Sequence, residues 1–161
     1  MKIYIAADHA GYELKETIKG FLSAAGHDVV DKGAFEHSTN DDYPDFITPC
    51  ARAVASEQGS FGIVFGGSGQ GEAMAANKVP GIRCALFYGR AMAKEAVDID
   101  GRTSDDPYEI LRMTRLHNNA NVLSVSARFT TTDETKDAVR IWLETPFSND
   151  ERHIRRINKY S

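Results

Sequence analysis

The chain has 161 residues, 42% of them apolar and 26% charged, a length and balance that suit one globular domain with a core of its own. A net charge of −4 leaves no basic excess to neutralise a nucleic-acid backbone, so the composition argues against such a partner, and any anion bound here must be small and met by a local cluster. No apolar run approaches membrane-spanning length, and two cysteines, Cys50 and Cys84, read as small core residues in a cytoplasmic, reducing setting rather than as a disulfide.

Residues 2–7 (KIYIAA) predict a first strand that ends at Asp8-His9-Ala10-Gly11. Leu14, Ile18, Phe21, Leu22 and Ala25 then recur at helical spacing up to a terminating Gly26. Residues 27–31 predict a second strand, and residues 32–42 a polar loop. Asp42-Tyr43-Pro44-Asp45 marks a helix start with Pro44 in the first turn, and Phe46, Ile47, Cys50, Ala53 and Val54 carry its apolar stripe to about residue 58. Residues 61–65 (FGIVF) predict a third, buried strand. Gly66, Gly67, Gly69 and Gly71 follow as a turn that can bring backbone N–H groups close to a ligand, and a helix begins at Glu72. Together these make an anion-binding nest holding two side chains, Ser68 and Glu72. The pattern lacks the GK[ST] ending of a phosphate loop, so alone it is equally a tight turn without a ligand.

Residues 82–87 predict a fourth strand, 90–97 a helix, 98–116 a charged loop with a short helical segment, and 121–125 a fifth strand. Residues 133–145 form an amphipathic helix carrying Val139, Trp142 and Leu143, and residues 149–160 a strongly basic final helix. Strands alternating with helices imply an α/β fold: a single domain over residues 1–161, a Rossmann-like three-layer α/β/α sandwich with a mostly parallel sheet of about five strands. Ligands of such sheets bind beyond the carboxyl ends of the strands, which brings Asp8-His9 towards the turn from Gly66 to Glu72.

AADHAG, DYPDF, GGSGQGEAMAANK, GIRCAL, LHNNANVLSVSAR and ERHIRRI occur in this order over nearly the whole chain. They resemble the type B ribose-5-phosphate isomerases, a family that includes galactose-6-phosphate and allose-6-phosphate isomerases. The resemblance implies an aldose-ketose isomerase of a small sugar phosphate working through an enediol or enediolate without a cofactor, with ribose 5-phosphate and ribulose 5-phosphate as the expected pair. Many members have a cysteine base in the glycine loop; Gly66 stands at that position here, and the resemblance assigns the base instead to Glu72, the position used by a second subgroup. It implies that Ser68 and the N–H groups of Gly67, Gly69 and Gly71 surround the substrate oxygens, that His117 opens the sugar ring with Asn118 beside it, and that Asp8 and His9 contact the substrate, with Tyr43 expected to line the same pocket. Arg128, Arg152 and Arg156 are implied as a phosphate clamp, with Arg152 and Arg156 at i and i+4 on one helix face. It also implies that the C-terminal helix reaches a partner in a homodimer, or a dimer of dimers, with shared sites.

The chain departs from the family over residues 98–115, which lengthen the approach to His117. This segment is either a surface elaboration or a lid or wall of the pocket, and it leaves open a four- or six-carbon sugar phosphate as substrate. A different class of function, a non-catalytic nucleotide- or phosphate-binding module on the same kind of sheet, would not require Glu72, His117 and the arginine pair together. No metal site is expected, because none of the five histidines pairs with acids at ligand spacing along the sequence.

Overall fold

The structure, a computed structural model, describes residues 1–160. Five strands, β1 (Lys2–Ala7), β2 (Asp28–Asp31), β3 (Phe61–Gly66), β4 (Cys84–Phe87) and β5 (Val122–Ser126), alternate with α1 (Tyr12–Ala24), α2 (Pro44–Ser56), α3 (Gln70–Ala76), α4 (Glu109–Leu116), α5 (Thr132–Glu144) and α6 (Glu151–Ile157). The strands pair in the order β2-β1-β3-β5-β4, every pair parallel.

Alternation along each strand sends side chains to two different cores, which is why the inner strands read as nearly continuous apolar runs. From β1, Ile3, Ile5 and Ala7 join a core with Ile18 and Leu22 of α1, Leu111 of α4 and Trp142 of α5. Tyr4 and Ala6 face the opposite way, with Ile47, Cys50 and Val54 of α2 and Ala76 of α3. The result is the expected three-layer sandwich. Gly11 sits where α1 begins close against the end of β3: a Cβ there would lie 2.6 Å from the Phe65 backbone carbon.

One predicted element is absent. Residues 90–97, read as a helix from their spacing, run as irregular chain. Backbone groups there find partners outside the segment: the Ala91 N–H donates to Pro107 O (3.0 Å), the Val97 N–H to Arg102 O (2.8 Å) and the Arg90 N–H to Glu134 Oε1 (3.2 Å). Met92 is exposed, and tertiary partners override local propensity.

The sheet order changes direction between β1 and β3, since the chain passes from β1 outward to β2 and returns on the other side of β1. That switch opens a crevice at the carboxyl ends of these two strands.

Candidate active site

Gly66 closes β3, and the turn after it is laid back over β5. The Ser126 hydroxyl and the Arg128 N–H both donate to Gly67 O (2.9 and 3.1 Å), the Ala127 N–H donates to Gly66 O (2.8 Å), and the Ser124 hydroxyl donates to Gly69 O (2.6 Å). Gly69 has a φ of +73° with Leu86 against it, so a side chain is excluded both by backbone conformation and by space. Ser124 and Ser126 are fully buried hydroxyls two apart in an apolar strand, and sequence reasoning missed them although the spacing within LSVS carries the signal.

Glu72 lies in the first turn of α3, only 4% exposed, with no ion-pair partner among the described residues. Burial pushes its carboxyl pKa up; its own backbone N–H opposes this and the charge of Asp8 adds to it. Its carboxylate lies where a Cβ on residue 66 would be. Ser68 is exposed on the turn, and its Oγ accepts the Gln70 N–H at 3.3 Å. The Arg128 guanidinium lies over Gly67, with Cζ 3.3 Å from where a Cβ would stand, and the Tyr43 ring lies beside Gly71, with Cζ 2.8 Å from the equivalent point.

Asp8 is buried after β1 and accepts the Gly11 N–H on Oδ1 (3.0 Å), which shapes the turn into α1. His9 is held by a residue that the sequence did not single out: its Nδ1 lies 2.6 Å from Oδ1 of Asp41, whose side chain is 6% exposed. Asp8, His9 and Asp41 bring one potential ligand atom each within 4.8 Å of one another. This corrects the expectation that no histidine meets acids at ligand spacing: Asp41 is far from His9 in sequence and the fold brings it in. The short His9–Asp41 hydrogen bond already joins the facing atoms of that pair.

Neither cysteine offers a ready thiolate. Burial pushes the Cys50 thiol up to about 12 and raises that of Cys84 as well.

The remaining candidates form a second group. His117 and Asn118, after α4, share a cleft of about 750 Å³ with Arg152 and Arg156 of α6, with Met113, and with the chain from Ala96 to Asp100. Arg155 is exposed and does not line it. The rings of His117 and His153 stack at 4.3 Å, so α6 is docked on the His117 loop of its own chain. Burial holds the His153 imidazole below its usual pKa, and the charges of His117 and Arg152 act in the same direction. Buried Arg115 anchors this loop by donating to Thr145 O (3.2 Å), Asn119 Oδ1 (3.1 Å) and Ala120 O (2.5 Å). Asn121 takes the Arg83 N–H on Oδ1 (2.8 Å), so this asparagine of LHNNANV is structural.

The two groups lie at opposite edges of the sheet. Asp8, the glycine turn and Arg128 follow the carboxyl ends of β1, β3 and β5, whereas His117 and Asn118 precede the amino end of β5. Five residues of strand separate the edges by roughly 16 Å. The cleft around His117 contains none of Asp8, Ser68, Glu72 or Arg128.

A doubly wound sheet with a buried, uncompensated carboxylate under a glycine-lined turn at its switch point, and a separate cleft holding imidazole and paired guanidinium groups, defines an α/β enzyme for proton transfer on a small anionic ligand. The profile of the ribose/galactose isomerase family matches residues 3–101 and 106–160, and the chain belongs to that family. Ribose-5-phosphate isomerase B of Mycobacterium tuberculosis (strain H37Rv) is 40% identical over 158 residues, covering 98% of this chain and 86% of that protein. Among solved structures, ribose-5-phosphate isomerase B of Mycoplasma genitalium, with bound ribulose 5-phosphate, superposes with a TM-score of 0.83 at 36% identity, over 98% of this chain and 92% of that one. The Clostridium thermocellum enzyme of the same name gives a TM-score of 0.83 at 38% identity, over 99% and 94% of the two chains. No helix among the described residues is long and apolar enough to cross a membrane.

Proposed function

We propose that this isomerase interconverts ribose 5-phosphate and ribulose 5-phosphate at a site assembled from two copies of the chain. The observation that carries the proposal is Glu72: a carboxylate buried at the switch point, with a pKa raised by that burial and no cation paired to it, is built to take and return a proton. Glu72 removes the proton from C2 of the open-chain aldose and returns it to C1, while the hydroxyl proton of O2 passes to O1, so that the carbonyl moves from C1 to C2. Ser68 and the N–H groups of Gly67, Gly69 and Gly71 stabilise the enediolate oxygens, Asp8 and His9 hold the sugar hydroxyls, and Tyr43 and Arg128 close the same side.

Ring opening needs a group that exchanges a proton between the ring oxygen and the anomeric hydroxyl, and the partner subunit's His117 supplies it, oriented with the partner subunit's Asn118. Arg152 of the partner subunit and Arg156 of the partner subunit grip the phosphate. Two subunits are required because the two groups of residues face away from each other in one chain. Since α6 is packed on its own His117 loop, imidazole and guanidinium groups move to the shared site as one unit.

The test is isomerisation of ribose 5-phosphate by the purified protein and by Glu72→Gln. Turnover by the first and its loss in the second, with phosphate-dependent binding retained, is the expected result; unchanged turnover in the variant removes Glu72 from the reaction. Binding without turnover by the unaltered protein would favour the non-catalytic module.

A further inference from the structure

Of the stretch 98–115 that reads as a departure from the family, the family profile leaves only residues 102–105 unmatched, and the chain just before them lines the cleft around His117. The chain from Ala96 to Asp100 forms the side of the cleft that faces His117, Asn118, Arg152 and Arg156. It is tied in place. The Val97 N–H donates to Arg102 O (2.8 Å), while Asp98 Oδ1 accepts the N–H groups of Asp100 and Arg102 (3.0 Å each). The Arg102 guanidinium then bridges Asp98 Oδ2 (3.0 Å) and Glu109 Oε1 (2.5 Å), and the Ser104 hydroxyl donates to Glu109 Oε2 (2.9 Å). Glu109 is 5% exposed and is the first residue of α4, the helix that ends at His117. The Arg102 hydrogen bond holds its carboxyl below the usual range, so the anchor is ionised at neutral pH. Loop and imidazole are therefore braced on the same helix, which makes the loop a fixed wall rather than a lid.

We infer that this braced loop limits the length of the sugar phosphate that the site accepts. Two features of the wall act together. Ile99 at its tip is 73% exposed and offers no hydrogen-bonding side chain, so an additional hydroxymethylene unit pressed against it loses water without gaining a partner. Asp100, which has no ion pair among the described residues, repels the phosphate dianion and keeps it on Arg152 and Arg156. With the phosphate held on Arg152 and Arg156, an extra carbon unit presses the sugar chain against this wall.

This inference rests on the shared-site reading above, and its test separates the two. The measurement is kcat/KM for erythrose 4-phosphate, ribose 5-phosphate and allose 6-phosphate with the unaltered protein, Ile99→Gly and Arg102→Ala. The unaltered protein should favour ribose 5-phosphate over allose 6-phosphate by at least about tenfold, the scale on which a pocket discriminates one carbon unit. Both variants should reduce that preference by about tenfold. Arg102→Ala also leaves Glu109 buried without its cation, so Ile99→Gly, which alters only an exposed side chain, serves as the variant that keeps the fold. Ribose 5-phosphate turnover with no preference against allose 6-phosphate, or a preference unmoved by Ile99→Gly, would overturn the wall while leaving the isomerase reading intact. Absence of turnover on all three sugars would overturn both.

Discussion

The carboxylate of Glu72 occupies the space that a side chain at residue 66 would fill, so Gly66 and Glu72 are two halves of one packing solution. The family resemblance names residue 66 and residue 72 as alternative positions for the base, six residues apart in sequence; in the fold they converge on one spot. A chain can hold a side-chain base at one of them only if the other leaves room.

Gly66→Ala should therefore displace the Glu72 carboxylate. Overpacking of this kind costs about 1–3 kcal/mol, and loss of a positioned base should lower kcat by at least about 100-fold. The pair Gly66→Cys with Glu72→Ala should recover part of the activity that Glu72→Ala alone removes, because the thiol would sit where the carboxylate was. Steady-state kinetics of the four proteins, set beside their melting temperatures, decide this; a double variant no better than Glu72→Ala counts against convergence.

Glu72→Gln should cost a factor of about 100 to 10,000 in kcat, and pH should reveal why. Because burial raises the folded-state pKa, the acid limb of kcat/KM should lie above the ordinary carboxylate range of about 4.3. The stability effect has the matching sign. A carboxyl whose folded pKa exceeds its unfolded one contributes stability that is fully present below the unfolded value and is lost as pH rises through the folded value. Glu72→Gln removes the buried charge, so it should melt higher than the unaltered protein at pH 7, and the difference should vanish near pH 4. Equal melting temperatures at both pH values would mean that the carboxylate is solvated after all.

Much of this was legible beforehand, for identifiable reasons. β1, β3 and β5 are buried on both faces and so read as short apolar runs, and the glycine turn declares itself because its close approaches exclude side chains. Residues 90–97 misled because helical spacing is a local property, whereas Pro107, Arg102 and Glu134 claim their N–H groups from a distance. Gly66 read as a turn former, and its role as the vacancy for a carboxylate appears only once α3 folds back over β3. Asp41 carried no signal, since nothing local ties it to His9. The placement of His117 and Glu72 at opposite ends of the strands follows from chain order, since one precedes β5 and the other follows β3 in a parallel sheet, and so was already implicit in the sequence.

That opposition leads to a prediction about subunits. Glu72→Gln and His117→Asn should each be nearly inactive alone, and co-expression of the two should restore activity. With random pairing, half the dimers are mixed and each carries one intact site of two, so about a quarter of the full rate is expected. If both groups served one site within a single chain, the mixture would stay as inactive as its parents. Reading the recovered rate against the fraction of mixed dimers, separated by a charge tag, removes any ambiguity from unequal expression.

Asp41 should matter to the reaction through His9. A carboxylate is only an acceptor, so the 2.6 Å contact places the proton on His9 Nδ1 and leaves Nε2 as the remaining polar atom of the ring for a substrate oxygen. The other oxygen of Asp41, Oδ2, is buried without a partner, which marks the side chain as held for its contact with His9 rather than for a dense network of its own. Hydrogen bonds to a charged group contribute about 1.5–3 kcal/mol, so Asp41→Asn should lower kcat/KM by roughly 10- to 100-fold. Its effect should separate from a general loss of structure: the ¹⁵N resonances of His9 should show a change of tautomer, while the melting temperature stays within a few degrees of the unaltered protein, a shift that corresponds to about 1 kcal/mol at this size. Asp41→Glu, which retains the carboxylate, should recover more activity than Asp41→Asn. Should all three proteins turn over alike, the Asp41–His9 pair shapes the loop and takes no part in holding the sugar.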